Sequence, residues 1–128
     1  MDYTRQCLFI DDDADDQDFF CEAVKFIDPA MECFFADDGI QAINKLEDNE
    51  NFIPDFIFIN MNMPRMSGPE CLARIAKMEH LAKSRIYMYS SSSNDQLLNE
   101  VRTLGAQDLL VKPSSISEMR ALLERILS

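Results

Sequence analysis

Acidic, amide, hydroxyl and ammonium groups recur in this chain just after short apolar runs. Asp11, Asp12 and Asp13 follow the run Cys7, Leu8, Phe9 and Ile10, and Asp15, Asp16 and Asp18 crowd in behind them. Asn60, Met61 and Asn62 follow Phe56, Ile57, Phe58 and Ile59. Ser90 follows Ile86, Tyr87, Met88 and Tyr89, and Lys112 with Pro113 follows Leu109, Leu110 and Val111. If each run is a strand of one open parallel sheet, all these groups gather beyond the carboxyl ends of the strands, where such sheets bind ligands. Clustered carboxylates repel one another and favour a hard divalent cation, which for oxygen ligands inside a cell points to magnesium. A metal, a lysine and a hydroxyl together can hold a phosphoryl group.

Simpler readings exist for each member. Asp15, Asp16 and Asp18 suit the start of a helix, whose N-terminal dipole welcomes negative charge. Asp11 and Asp12 fit that account less well, because they abut a buried strand. Lys112 could be a surface lysine, although apolar residues and Pro113 flank it. Ser90 could simply begin the serine turn that runs to Ser93. The eight methionines read as core filler.

The elements that must position these groups alternate regularly. After the first strand, Phe19, Phe20, Ala23, Val24 and Ile27 repeat at helical spacing, so residues 15–27 read as a helix stopped by Pro29. Residues 31–36 read as a second strand. Asp38 begins a helix with Gln41 at capping-box spacing and Ile40, Ile43 and Leu46 on one face. The third run, 56–59, is continuously apolar, as a strand covered on both faces should be. A loop with Pro64 and Gly68 leads to a helix carrying Leu72, Ile75 and Met78. Ser93 and Gln96 frame the start of a fourth helix, which carries Leu97, Leu98, Val101 and Leu104 and ends at Gly105. Ser115 and Glu118 open a last helix carrying Met119, Leu122, Leu123 and Ile126. Five strand–helix units imply an α/β domain with a parallel sheet and helices on both faces.

Composition narrows the classes. A chain of 128 residues with 47% apolar content suits one domain with a core of its own. The formal charge of -11 repels nucleic acid and anionic lipid, so neither is an expected partner. No apolar run approaches a membrane span, and residues 1–6 are polar with no signal core behind them, so the chain reads as cytoplasmic. Cys7, Cys21, Cys33 and Cys71 form no Cys-x-x-Cys pair and His80 is the only histidine, so a zinc site is not expected. Each cysteine reads as a small core residue.

At this point the motifs resemble the receiver domain of two-component response regulators, over nearly the whole chain. Leu8 to Asp13 resembles the family's first strand and acidic pair. Asn60-Met61-Asn62-Met63-Pro64-Arg65-Met66-Ser67-Gly68 resembles its phosphorylation loop. Ser90 matches the switch hydroxyl, and Val111-Lys112-Pro113 matches the lysine motif. The resemblance implies a flavodoxin-like fold, a doubly wound five-stranded parallel sheet in the order 2-1-3-4-5, and one receiver domain over residues 1–128 with no output domain behind it. It implies that Asp12 binds magnesium directly, that Asp11 acts partly through water, and that the backbone carbonyl of Asn62 is a third ligand. Lys112 would contact phosphoryl oxygens, Ser90 would follow the phosphoryl group, and the Lys112–Pro113 peptide would be cis.

Two residues depart from the family pattern. Asn60 stands where the family has its phosphate-accepting aspartate, in a register fixed by Met63, Pro64 and Gly68. A neutral amide oxygen forms no stable acyl phosphate and ligates a metal with one negative charge fewer, so magnesium should bind more weakly. Leu109 stands at the position of the switch aromatic. Both departures suggest a receiver of a phosphorelay system that acts through protein contacts without phosphorylation and is not an enzyme. The alternative is an ordinary magnesium-dependent phosphoreceiver whose acceptor aspartate has been replaced in this version of the chain. A metal-dependent phosphatase using Asp11 or Asp13 fits the motifs after the third and fifth strands less well, and an acidic first loop would repel a flavin phosphate. The expected partners are a sensor kinase, a phosphorelay protein or a downstream effector, met by a monomer or weak dimer. The family's contact surface lies near the fourth helix, fifth strand and fifth helix.

Overall fold

The computed structural model describes residues 4–127. The polar start at residues 1–3 and Ser128 lie outside the described residues.

Strands and helices alternate along the chain: β1 (Gln6–Ile10), α1 (Ala14–Ile27), β2 (Glu32–Ala36), α2 (Gly39–Glu47), β3 (Phe56–Asn60), α3 (Gly68–Ile75), β4 (Arg85–Ser90), α4 (Asp95–Leu104), β5 (Asp108–Val111) and α5 (Ile116–Leu127). A single 3-10 turn, Glu79–Leu81, sits between α3 and β4. The strands form one parallel sheet in the order β2-β1-β3-β4-β5. This is the flavodoxin-like α/β architecture expected from the motifs.

Alternation along each strand splits the core in two. Leu8, Ile10, Ile57, Ile59, Met88 and Leu109 point to one face and pack under α2, α3 and α4 with Ala42, Leu46, Leu72, Ile75 and Val101. Cys7, Phe9, Phe58, Tyr87, Tyr89 and Leu110 point to the other and pack under α1 and α5 with Phe20, Ala23, Val24, Met119 and Leu123. The second core is aromatic: Phe9 stacks on Phe20 at 4.1 Å between centroids, and Phe58 meets Phe20 edge-on at 4.8 Å. Both faces being covered explains why β3 has no polar alternation.

The helix starts follow local capping, with some shifts from the expected positions. Asp13 caps α1 by accepting from the N–H groups of Asp15 and Asp16. Asp38 caps α2 by accepting from Gln41 N at 2.8 Å, while the Gln41 side chain turns back to Asp37 N. Ser67 caps α3, which stops at Ile75, so Met78 lies beyond it. The cap of α4 is Asn94, not Ser93: its Oδ1 accepts from Leu97 N at 2.8 Å. Asparagine and serine are both good caps, and the planar amide of Asn94 reaches the third N–H of the helix. Gly105 ends α4 with φ 119°, a left-handed value that glycine adopts freely. The second strand begins one residue later than expected, at Glu32, because Met31 is spent on a turn bonded to Asp28 O. Among the described residues there is no cis peptide bond, so Lys112–Pro113 is trans, against the expectation. The trans form is the ordinary preference of X–Pro bonds.

Candidate pocket at the carboxyl ends of the strands

The chain runs from β1 to β2 on one side of β1 and then returns to place β3 on the other. The crevice of a doubly wound sheet opens at such a reversal. Ile10 pairs with Ile59, so the next residues, Asp11 and Asn60, emerge side by side. Ladder bonds extend past the strand ends and pin the backbone there: Asp11 N donates to Ala36 O, Met61 N to Tyr89 O, and Lys112 N to Ser90 O. Among the described residues, Asp11, Asn60 and Ser90 are three of the four buried polar residues, and the fourth is Asp38.

Asn60 is the hub. Its Nδ2 donates to Asp11 Oδ1 at 3.3 Å, to Asp12 Oδ1 at 3.5 Å and to Asn62 O at 3.1 Å. All three partners are acceptors, so only the nitrogen of the amide can face them. The first and third contacts are good hydrogen bonds, and the second is at the outer limit. Asp11 Oδ1 also accepts from Asp13 N at 3.0 Å, whereas its buried Oδ2 has no partner. Burial raises the Asp11 carboxyl to about 6, helped by the charges of Asp16 and Asp12 and opposed by Asp13 N–H and Lys112.

The other expected members lie around this hub. Ser90 is buried, and its Oγ accepts from Ser92 N at 3.3 Å. Lys112 is partly exposed, with its Nζ 3.6 Å from Asp16 Oδ2 and 5.4 Å from the centre of the Tyr89 ring. An ion pair and a cation–π contact thus hold the ammonium at the rim. Leu109 points away from this rim, into the core under α4.

Sequence reasoning missed several supports. Asp16 counted only as helix-start charge, yet it is the partner of Lys112. Gln17 ties Asp11 O to Asp37 Oδ1 at 2.8 and 3.2 Å. Arg65, the one described non-glycine residue with positive φ, pairs with Asp38 across the loop. Gly68 returns its N–H to Met61 O, and a Cβ there would lie 2.5 Å from Asn60 O. That close approach is what the glycine permits, and the loop spacing Pro64 to Gly68 was its only signal.

Among the described residues no group of three or more His, Cys, Asp or Glu side chains is arranged to hold a metal ion. The oxygen set that converges here is smaller: two carboxylates, the Asn62 carbonyl and, if the amide turned over, Asn60 Oδ1. Oxygen donors of that kind suit magnesium, which keeps several waters of its own. The unpartnered Asp11 Oδ2 is consistent with such a guest.

Known proteins resemble this chain in sequence and fold. A sequence model of the response regulator receiver domain matches residues 7–124. The chemotaxis protein CheY of Listeria monocytogenes is 29% identical over 90 residues, covering 70% of this chain and 71% of that protein. A protein-glutamate methylesterase/protein-glutamine glutaminase of Methanospirillum hungatei is 28% identical over 85 residues, but the match spans only 24% of its length. The phosphorylated cyanobacterial phytochrome response regulator RcpA superposes with a TM-score of 0.85 at 21% identity, covering 97% of this chain and 91% of that one. The Mn(2+)-bound form of response regulator Rcp1 superposes with a TM-score of 0.80 at 22% identity, covering 95% and 91%. With the family pattern spanning all five strands and a sheet of the same fold, this chain belongs to the response regulator receiver domain family.

Proposed function

We propose that this chain is a receiver module of two-component signalling that works through protein contacts, with aspartyl phosphorylation disabled at Asn60. The observation that carries this is the Asn60 amide nitrogen, which donates to Asp11, Asp12 and the Asn62 carbonyl. These are the groups that the family resemblance assigns to magnesium. The positive end of the amide dipole therefore occupies the place of the cation and offsets the repulsion between the two carboxylates. The residue at the acceptor position has no anionic oxygen with which to attack phosphorus.

Magnesium, if bound, would be held by Asp11, Asp12, Asn62 O and Asn60 Oδ1, and would supply charge neutralisation for phosphoryl oxygens. Binding it requires the amide to turn over and give up its donor bonds, each worth about 1 kcal/mol or more with an ionised acceptor. Affinity is therefore lowered twice, by the missing charge and by the bonds lost. The rest of the relay is altered in the same sense. Lys112 is engaged with Asp16, and Leu109 offers no ring to swing between core and surface. The chain is thus a cytoplasmic binding module and not an enzyme. Its receiver domain meets a sensor kinase, a phosphorelay protein or a downstream effector.

Intact mass after incubation with acetyl phosphate and magnesium tests this reading. The native chain is expected to gain no phosphoryl group, whereas Asn60→Asp gains one that hydroxylamine removes. A stoichiometric, hydroxylamine-labile gain on the native chain would overturn it.

A further inference from the structure

Three of the four cysteines, which read from the sequence as separate core residues, meet at one place. Cys7 in β1 and Cys33 in β2 are partners in the parallel register. Their sulfurs lie 3.6 Å apart. Cys21, on α1, lies close enough for its thiol and that of Cys33 to influence each other's titration. Lys25, one turn further along α1, casts its positive charge on all three and donates to Met31 O beside β2. Cys7 is sealed in the core, while Cys21 and Cys33 are only partly buried. The cluster lies outside the pocket at the strand ends. It does not form a metal site, since no such grouping occurs among the described residues.

Plain core packing would need three small apolar side chains here and nothing more. The cluster has a chemical polarity beyond that. The hydrogen bond from Cys7, with Lys25 nearby, draws the Cys33 thiol down to about 7 against its burial. Burial, with the Cys33 charge, pushes Cys21 up to about 11, and the bond to Cys33 together with burial raises Cys7 as well. The direction of these shifts makes Cys33 the most acidic of the three thiols, and it is also more accessible than Cys7. Thiolate character and access select which cysteine is oxidised first. Adjacent strands hold opposite Cα atoms about 4.8 Å apart. A disulfide spans Cα separations of about 4.4–6.8 Å.

We propose that Cys7, Cys21 and Cys33 form an oxidisable thiol site at the β1–β2 edge of the sheet, in which a hydroperoxide oxidises Cys33 and Cys7 resolves it as an intramolecular disulfide. In the first step the Cys33 thiolate attacks the terminal oxygen of the hydroperoxide. The O–O bond breaks, Cys33 becomes a sulfenic acid, and the departing alkoxide or hydroxide takes a proton from solvent. In the second step the Cys7 sulfur attacks the Cys33 sulfur. The S–O bond breaks, and the leaving hydroxide departs as water with the Cys7 proton. Two thiols lose two electrons in total, and the peroxide is reduced to an alcohol and water. Cys21, on α1 beside Cys33, takes no part in the bridge. In a reducing compartment such a bridge is transient, as redox-sensing disulfides are.

The test treats the native full chain with hydrogen peroxide at near-stoichiometric amounts, alkylates free thiols and maps the cysteine peptides by mass spectrometry. The expected product is a Cys7–Cys33 bridge with Cys21 and Cys71 alkylated, reversed by dithiothreitol. Cys7→Ser is expected to leave a Cys33 sulfenic acid that dimedone traps, with circular dichroism confirming its fold. A bridge that uses Cys21 or Cys71, a purely intermolecular bridge, or four fully alkylated thiols in the native chain would overturn the proposal.

Discussion

One nitrogen atom of Asn60 meets three acceptors, and that geometry shows how little separates a metal site from a self-satisfied polar cluster. Two carboxylates aimed at one point need positive charge between them. A cation supplies it in full, and an amide dipole supplies part of it without any ligand. Asp38 poses a related electrostatic question in the loop beside the pocket. Its carboxyl is held below the ordinary range, first by the Gln41 N–H and then by the Arg65 guanidinium. A lowered value in the folded state means that the stabilisation is complete above the ordinary carboxylate range and is lost as pH falls through the folded value. Asp38→Asn keeps a capping side chain but loses the charge. The substitution is expected to destabilise the fold at pH 7 by no more than about 1 kcal/mol, because Arg65 is largely exposed and screened. The gap to the native chain should close below about pH 4. Urea unfolding of both proteins at pH 7 and pH 3 checks this, and a gap that persists undiminished at pH 3 would contradict it.

At the scale of elements, the caps decide where helices begin, and α4 separates two candidates. Asn94 accepts from Leu97 N, whereas Ser93 precedes the cap and makes no bond to the helix start. Asn94→Ala is expected to cost about 1 kcal/mol and Ser93→Ala to stay within a few tenths. Denaturation midpoints of the two variants distinguish them, and the reverse order would refute the assignment. The same helix shows what a sequence can reveal about elements. Leu97, Leu98, Val101 and Leu104 announce the helix through spacing, and Gly105 announces its end. Its first residue depends on which of several adjacent polar side chains wins one N–H, a contest settled by a few tenths of an ångström. The strands were legible for a related reason. Four of the five are short apolar runs, because a sheet covered on both faces has no polar side to hide. The site followed from them: once the runs are strands, Asp11, Asp12, Asn60, Ser90 and Lys112 must share one rim. Hidden from sequence were the contacts made across elements. The pairing of Lys112 with Asp16, the turn of the Asn60 amide and the meeting of Cys7, Cys21 and Cys33 depend on register and rotamer, and no spacing encodes those.

The whole molecule joins two cores of different character through one sheet. The aromatic core under α1 and α5 carries the thiol cluster at its β2 edge, and the aliphatic core under α2, α3 and α4 carries Leu109. The pocket sits where the sheet reverses direction, at the ends of strands that belong to both cores. A receiver that changes shape on phosphorylation must carry a signal from that pocket through such a core. Here the pocket is closed on itself by Asn60, and the core position at β5 is filled by an aliphatic side chain. On the proposed reading the pocket holds its resting arrangement without ligand control. The most direct measurement of this is a two-dimensional 15N–1H NMR titration of the native chain and of Asn60→Asp with magnesium and beryllofluoride. The backbone signals of Asp12, Asn62, Ser90 and Lys112 are expected to stay in place in the native chain at concentrations that move them in Asn60→Asp. Saturable shifts of those same signals in the native chain, at the concentrations that saturate Asn60→Asp, would contradict that reading.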